Sequence, residues 1–565
     1  MGHRLGTTST TMAETISSSG VESHVLNKYT KDGRSATSRA VDNEAIDENG
    51  SRAPSIRHGR ADQGGDDDKD EADPHDNGYP KISNARAIAL VSTLLGAGFL
   101  NTMSIQAAVI VLPTIGEALN IPPARQQWIV SAYSVTFGCF LLLWGRLADV
   151  YGKRLIFIWG SAWVCVTTLV CPFIPHEIGF DLFRGLQGLG AAANVPTAIG
   201  MIGSTFPPGK AKNLAFATYS AGAPLGGVFG NIMGGLVSQY ATWKAIFWIL
   251  AGLAFIITVA GQLVIPLPTL HPTPDQVKTT VDWTGGTLVT VALLILLFAL
   301  TQGNVVGWST PWIIALLVLS VALLATFITW QRHQEFHTYK RPLIKTSLFH
   351  NSKISTAMLV TALFFTSFNN FLVFATHYYQ DYLGLPPIQT TLRFLPTGAA
   401  GVLAVCIISQ LLARVELQYI LLFGMSCGIL SSLLFAVPIP PSTIYWAYGF
   451  PAMCLSVFAS DTLFPSLMLF TALSLPQEDQ AMGGALINAS GQVGRAVGLA
   501  VATAVQVAVE GGVGTRGRSR VTEGNEAFLR GLRAANWFSV GLSGLGLVFV
   551  VTGIRRAGKI GAVKG

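Results

Sequence analysis

Asp461, in the stretch Ala459-Ser460-Asp461-Thr462, is the one acid set deep inside an apolar run of this 565-residue chain. A carboxyl group withdrawn from water in this way either titrates for a purpose or stays protonated, with Ser460, Thr462 and a neighbouring helix satisfying it. Arg184, in Arg184-Gly185-Leu186-Gln187-Gly188-Leu189-Gly190, raises the same question with the opposite sign. It either lines a cavity or pairs with Asp181, one helical turn away. In Gly145-Arg146-Leu147-Ala148-Asp149-Val150-Tyr151-Gly152-Lys153-Arg154, two glycines permit a sharp turn between helix ends. Asp149 can accept hydrogen bonds from a helix N-terminus there, while Lys153 and Arg154 can pair with acids or face lipid phosphates. Gly222, Gly226, Gly230 and Gly234 recur every fourth residue beside Pro224 and Gly227. Such a ridge lets two helix backbones approach closely, and the proline permits a bend.

Polar side chains are scattered through the same apolar runs: Asn101, Gln106, Gln187, Asn194, Asn369, Asn370, His377, Asn488 and Gln492. Singly, each suits a hydrogen bond between helices. Together they suit a mostly apolar cavity with a few polar points, as an amphipathic organic molecule requires. Arg495 is a further candidate, the alternative being a side chain that reaches for a helix end.

The elements that position these residues follow from the charge distribution. Only 12% of residues are charged while 50% are apolar, too few charges to cover a soluble protein of this size. Residues 1–84 hold 10 Lys/Arg and 15 Asp/Glu, a net −5, leaving 27 Lys/Arg and 15 Asp/Glu, a net +12, beyond them. The first segment, Ser/Thr-rich and then acidic through Asp66-Asp67-Asp68, is expected to be a disordered cytosolic tail. Beyond it, apolar runs of spanning length recur near 87–113, 126–146, 155–174, 179–203, 213–238, 243–266 and 283–302. Seven more follow near 311–330, 354–378, 391–413, 417–437, 443–470, 481–508 and 535–554, making fourteen expected spans. Arg146, Lys153, Arg154, Lys210, Lys212, Arg332, Lys340, Arg341, Lys345 and Lys353 fall on alternate loops, which places both termini inside. The last loop, with Arg516, Arg518, Arg520, Arg530 and Arg533, runs against that rule.

Other chemistries are poorly supported. The six cysteines lie in or beside apolar runs, as buried thiols do, and do not form a disulfide framework. His333 and His337 lack further ligands, so no metal is expected. The sequons at Asn49 and Asn488 fall in the tail and within a span, where neither would be used. No phosphate-binding G-x-x-x-x-G-K-[ST] loop is present, which argues against an ATP-driven pump, and no catalytic triad is apparent.

The stretch from Gly145 to Arg154 resembles the signature loop of the major facilitator superfamily, G-x-L-a-D-r-x-G-r-k, at nearly every defined position. Arg184 to Ala192 is similar to that superfamily's R-x-x-q-G-x-g-a-A pattern, which implies a role for Arg184 in proton transfer. Gly222-Ala223-Pro224-Leu225-Gly226-Gly227 resembles, without reproducing, the antiporter element G-x-x-x-G-P-x-x-G-G. Fourteen spans resemble the drug:proton antiporter branch, and within it the fungal exporters of toxins and secondary metabolites. In support stand Trp243-Lys244-Ala245-Ile246-Phe247, Asp282-Trp283-Thr284-Gly285 and Arg393-Phe394-Leu395-Pro396. That branch often has a titrating Asp in span one; here Asn101 stands in Leu100-Asn101-Thr102, leaving Asp461 as the coupling candidate beside Arg184.

The resemblance implies an all-α integral membrane protein of major facilitator fold, with two six-helix bundles and two extra central helices. Residues 85–266 would form the first bundle, 267–344 a linker with the inserted pair, and 345–565 the second bundle with a short cytosolic end. It implies no enzyme and no cofactor, but proton-coupled efflux of a drug, toxin or secondary metabolite by alternating access. The alternatives are a carrier of a boron- or ammonium-like solute, working as uptake, and a transporter-like receptor or scaffold. The expected partners are a small-molecule substrate, protons and the lipid bilayer, with no nucleic acid, and the chain is expected to be a monomer. The plasma membrane is the expected site, with vacuolar or vesicle membranes as alternatives.

Overall fold

The computed structural model describes residues 82–207, 209–266, 281–337, 342–440, 442–476, 479–510, 526–555 and 558. The acidic tail, the stretch 267–280, the loop cations Lys340 and Arg341, and Arg516, Arg518 and Arg520 lie outside them. Fourteen helices of 18 residues or more account for nearly all of the described residues. In the first half these are α1 (Asn84–Ile110), α2 (Trp128–Tyr151), α3 (Lys153–Val170), α4 (Glu177–Thr205), α5 (Lys210–Tyr240) and α6 (Lys244–Val264). An inserted pair follows, α7 (Trp283–Val306) and α8 (Pro311–His337). The second half comprises α9 (Ser352–His377), α10 (Pro387–Arg414), α11 (Leu417–Ala436), α12 (Tyr445–Leu473), α13 (Gln480–Glu510) and α14 (Glu526–Gly553).

Twelve of these helices are long and apolar enough to cross a membrane. The other two, α4 and α5, are as long but carry six glycines each among Ala, Ser and Asn, which dilutes their apolar character. Helices satisfy their own backbone N–H and C=O groups, one of the two solutions open to a chain in lipid, which offers those groups no partner.

Several boundaries differ from those read off the sequence. The signature stretch is not a loop: α2 continues to Tyr151, and the turn is the single residue Gly152 at φ 98°. A side chain is strained in that left-handed region, which accounts for the glycine. Helix α8 runs on to His337, so Arg332, His333 and His337 lie on a helix and not in a loop. Helix α14 starts at Glu526, which moves Arg530 and Arg533 out of the last loop. Helix α12, by contrast, passes through Pro451 and Pro465 as one element, as the single run 443–470 anticipated.

The packing repeats eight helices on. Helix α1 lies on α5, α2 on α4, and α3 on α4 and α6; correspondingly α9 lies on α13, α10 on α12, and α11 on α12 and α14. The inserted α7 and α8 pair with each other, and α7 touches α2 and α13. The halves meet along two seams, α2 with α13 and α5 with α10. At the signature end they also share buried apolar side chains, with Val405, Leu412, Met468 and Ala472 packed into the core of α1–α6. At the far end, a tyrosine-rich cluster around Tyr378, Tyr379 and Tyr448 is built from the second half alone.

The four-residue glycine ridge is spent on the α1–α5 contact. A Cβ on Gly222 would stand 2.7 Å from the Leu95 carbonyl oxygen, on Gly226 2.2 Å from that of Phe99, and on Gly230 2.8 Å from that of Met103. Gly227 points elsewhere, its nearest neighbour being Thr102 at 3.8 Å. The second half repeats the device on α13, where a Cβ on Gly494 would lie 2.3 Å from the Ala362 carbonyl oxygen of α9. Gly226→Val should therefore cost about 1–3 kcal/mol through overpacking and lower the melting temperature of the solubilised protein, while Gly227→Ala should not. Equal melting of the two variants would show that the ridge does not set the α1–α5 distance.

Candidate functional site

The first candidate region is the signature end of the α2–α13 seam. Gly145 brings α2 so close to α13 that a Cβ there would lie 2.7 Å from the Ala485 Cβ. One turn on, Asp149 Oδ2 accepts a hydrogen bond from the Met482 backbone N–H at 3.1 Å. Met482 is in the first turn of α13, where unpaired N–H groups and the helix dipole favour an anion. Asp479, just before that turn, lies 2.9 Å from Lys345 Nζ and 3.7 Å from Arg146 Nη1. Lys153 crosses Gly200 of α4, and Arg154 Nη2 donates to the Gln262 carbonyl oxygen at 2.9 Å. The signature residues, on α2 and α3, thus bind two other helices of their own half, α4 and α6, and the start of α13 in the other.

Sequence reasoning passed over Asp479 and treated Arg146 and Lys345 only as markers of orientation. An acid directly before a helix start was the available signal for Asp479. Lys345 belongs to the segment after α8, held in turn by that helix: Ile344 N donates to Gln331 Oε1 at 3.1 Å, and Gln331 Nε2 to Asp282 Oδ2 at 2.8 Å. The inserted pair is therefore tied through Lys345 to the signature contact.

The second region lies inside the first half. Arg184 is fully buried; its Nε donates to the Ile129 carbonyl oxygen at 2.8 Å and its Nη1 to Ser104 Oγ at 3.2 Å and to Gln187 Oε1. Its Cζ lies 5.0 Å from the centre of the Tyr133 ring, within cation–π range. Gln187 Nε2 donates to Ser104 Oγ and to Thr168 Oγ1, at 3.2 and 2.7 Å, and Tyr133 OH donates to Asn101 Oδ1. These side chains surround a void of about 10 Å³. That is room for about one water molecule. Asn101 and Gln187 therefore share a network within α1, α2, α3 and α4, away from the seams. Among the described residues no ion pair joins Asp181 to Arg184, so the turn-to-turn pairing allowed by the sequence does not form.

The third region is where α5, α10 and α12 converge. Asp461 is 2% exposed, and its Oδ2 has no hydrogen-bond partner among the described residues. A Cβ on Gly401 of α10 would lie 3.3 Å from that oxygen and 3.8 Å from Pro224 Cβ of α5. Asp461 and Pro224, far apart in the chain, thus flank one glycine at the second seam. Neither Ser460 nor Thr462 satisfies the carboxyl group: Ser460 is half-buried and the Thr462 hydroxyl is itself unpartnered.

The remaining candidates lie in the second half. Asn370 is fully buried and donates to the Gly498 carbonyl oxygen at 3.3 Å, with half-buried Asn369 beside it. Asn488 donates to the Gly484 carbonyl oxygen of its own helix at 2.9 Å. Gln492 is half-buried against α2, its Cβ 3.3 Å from where a Cβ on Gly138 would be. His377 pairs with Asp381 at 2.6 Å at the far end of α9. No cluster of His, Cys, Asp and Glu able to hold a metal occurs among the described residues.

A family model described as Major Facilitator Superfamily matches residues 94–499. The Low affinity ammonium transporter of Saccharomyces cerevisiae is 29% identical, with 82% of this chain and 88% of that protein covered. MFS-type transporter 1 of Pyricularia oryzae is 30% identical over 87% of each chain. Efflux pump terG of Aspergillus terreus is 28% identical over 83% of this chain and 88% of its own. Among solved structures, the human organic anion transporter MFSD10 (TETRAN) superposes with a TM-score of 0.58 at 15% identity, covering 82% of this chain and 99% of that one. At that identity the likeness concerns the fold alone.

The Arg184 network makes a prediction about stability. Arg184→Met would remove the donor from Gln187 Oε1 and one donor each from the Ile129 carbonyl and Ser104, at about 1–3 kcal/mol for a group left unsatisfied. The solubilised variant should melt well below wild type, with Arg184→Lys in between. Melting unchanged in Arg184→Met would mean that the network does not support the first half.

Proposed function

We propose, on the premise that this chain belongs to the Major Facilitator Superfamily, that it exports a small organic compound in exchange for protons. That it is a multi-pass membrane protein and a secondary transporter, not an enzyme, follows from the family. The finer reading places it in the fourteen-span drug:proton branch, at the plasma membrane. It is supported by the fourteen long helices and by relatives that include efflux pumps.

The observation that carries proton coupling is Asp461. Its carboxyl group is buried at the seam between the halves, beside Gly401 and Pro224, and unsatisfied by any described side chain. A group so placed gains or loses a proton as the seam opens to one side or the other, and each protonation state favours a different arrangement of α5, α10 and α12. The glycines Gly222, Gly226, Gly230 and Gly234 keep α5 rigidly on α1, so that movement at Pro224 is transmitted to the whole half. At the signature end, Gly145, Asp149, Gly152, Lys153 and Arg154 act as the gate: the anion on the α13 N-terminus holds that end shut, and its release lets the halves rock apart. The two bundles of 85–266 and 345–565 are the rocking bodies, and the pair within 267–344 braces them. Asn369, Asn370, Asn488 and Gln492 supply polar points near the seams.

A second reading, uptake of an ammonium-like solute, is favoured by the relative of comparable identity that is named as an ammonium transporter. The two readings part in one experiment. Purified protein in proteoliposomes, given a pH gradient and a panel of amphipathic compounds together with ammonium, should move an organic compound against the proton flow. Asp461→Asn should abolish the pH-driven flux while preserving exchange without a gradient. Ammonium flux alone would favour the second reading, and full pH-driven flux in Asp461→Asn would remove Asp461 from the coupling.

A further inference from the structure

Arg495 belongs to neither the signature contact nor the Asp461 region. It is the sixteenth of the 31 residues of α13, Gln480–Glu510. Either helix end is roughly 22 Å away at 1.5 Å per residue, beyond the reach of an arginine side chain. Escape to the bilayer surface therefore does not explain it. Asn488, Gln492 and Arg495 are spaced by four and three residues, which puts them on one face of α13. That face is turned toward the first half, since Gln492 abuts Gly138 of α2.

The repeat of the fold locates Arg495 independently. Gly494 meets the Ala362 carbonyl oxygen of α9 as Gly226 meets that of Phe99 on α1. Arg495 thus occupies in the second half the position that Gly227 occupies in the first, next to the ridge and pointing away from it. Where the first half has a glycine facing Thr102 and Gln106 of α1, the second carries a cation.

The environment of that cation is incomplete. Its Cζ sits 4.2 Å from the centre of the Phe365 ring, and Phe365 meets Phe464 of α12 edge to face at 5.4 Å. The side chain is half-buried, and among the described residues it has neither a hydrogen-bond acceptor nor a carboxylate within ion-pair distance. Arg184, on α4, shows the contrast: it has three acceptors and is fully buried. An aromatic face recovers only part of the cost of holding a cation in a span. The guanidinium fork, with five N–H donors, is shaped for two oxygens of one anionic group.

We propose that Arg495 is the anion-binding residue of the transport site, and that the compound carried is an organic anion with a carboxylate or similar oxyanion on an apolar aromatic body. The proposal rests on the export reading for what it calls transport, but binding can be measured apart from it. Arg495 takes the oxyanion, Phe365 and Phe464 pack against the ring, and Asn488 and Gln492 lie along the same face to hydrogen-bond polar substituents.

The test uses three probes of one shape: 1-naphthoate, 1-naphthamide and 1-naphthylmethylammonium, with chloride as a small-anion control. Purified full-length protein should bind the carboxylate at least about tenfold more tightly than the amide, as expected of a site built around a charged donor. Arg495→Gln should erase that preference and Arg495→Lys should keep part of it, with both variants melting as wild type without ligand. If Arg495→Gln does not fold, the wild-type ranking and Arg495→Lys decide. Equal binding of acid and amide, preference for the cation, displacement of naphthoate by chloride at equal concentration, or a preference retained in Arg495→Gln would each overturn the proposal. In proteoliposomes, naphthoate that binds but is not driven by a pH gradient would end the export reading and leave the anion site standing. Driven flux of naphthylmethylammonium alone would do the reverse.

Discussion

One hydrogen bond joins the parts on which everything else depends: the Asp149 carboxylate on the first turn of α13. It is the place where a short motif of the first half grips the backbone of the second. A carboxylate facing free N–H groups at the positive end of a helix dipole gains more than an ordinary surface contact, yet remains breakable. Gly145 makes the grip possible by removing the side chain that would hold α2 and α13 apart. Gly152 makes it directional, turning the chain within one residue so that Lys153 and Arg154 reach back to α4 and α6. Asp479, shared between Lys345 and Arg146, joins the inserted pair to the same junction.

The rest of the architecture packs closely the helices on which that junction and the second seam are built. Glycines on α5 lie against the α1 carbonyls, and glycines on α13 lie against α9, so each half has one welded helix pair. Those welded pairs present the residues of interest on their free faces: Pro224 on α5, facing Gly401 beside Asp461 of α12, and Gln492 and Arg495 on α13. Close backbone packing and exposed chemistry are thus two consequences of one glycine pattern.

Much of this was legible in the sequence. Fourteen apolar runs anticipated fourteen long helices, because a bilayer leaves the backbone few other solutions. The ends were less legible: hydropathy reports contact with lipid, whereas a helix continues while its own hydrogen bonds are met. Hence α8 reaches His337 and α14 begins at Glu526, beyond their apolar cores. Asp149 was readable as an anion for a helix N-terminus, but Met482 is 333 residues away and nothing local names it. For Arg184 the alternatives were a cavity or Asp181; it bonds to Gln187, one turn away on its own helix, and to Ile129 and Ser104, on two helices that only the tertiary fold brings to it. The glycine ridge was recognisable as a packing device, and its partner became visible only when α1 was laid against it.

The role proposed for Asp149 is to hold the signature end closed. Spin labels at Tyr151 on α2 and Ser474 after α12, both exposed and on opposite halves, report that closure as a distance. Measured by pulsed electron resonance, the otherwise unaltered protein should show a dominant short-distance population, and Asp149→Asn should shift it toward a longer one. A distribution unchanged by Asp149→Asn would contradict the account.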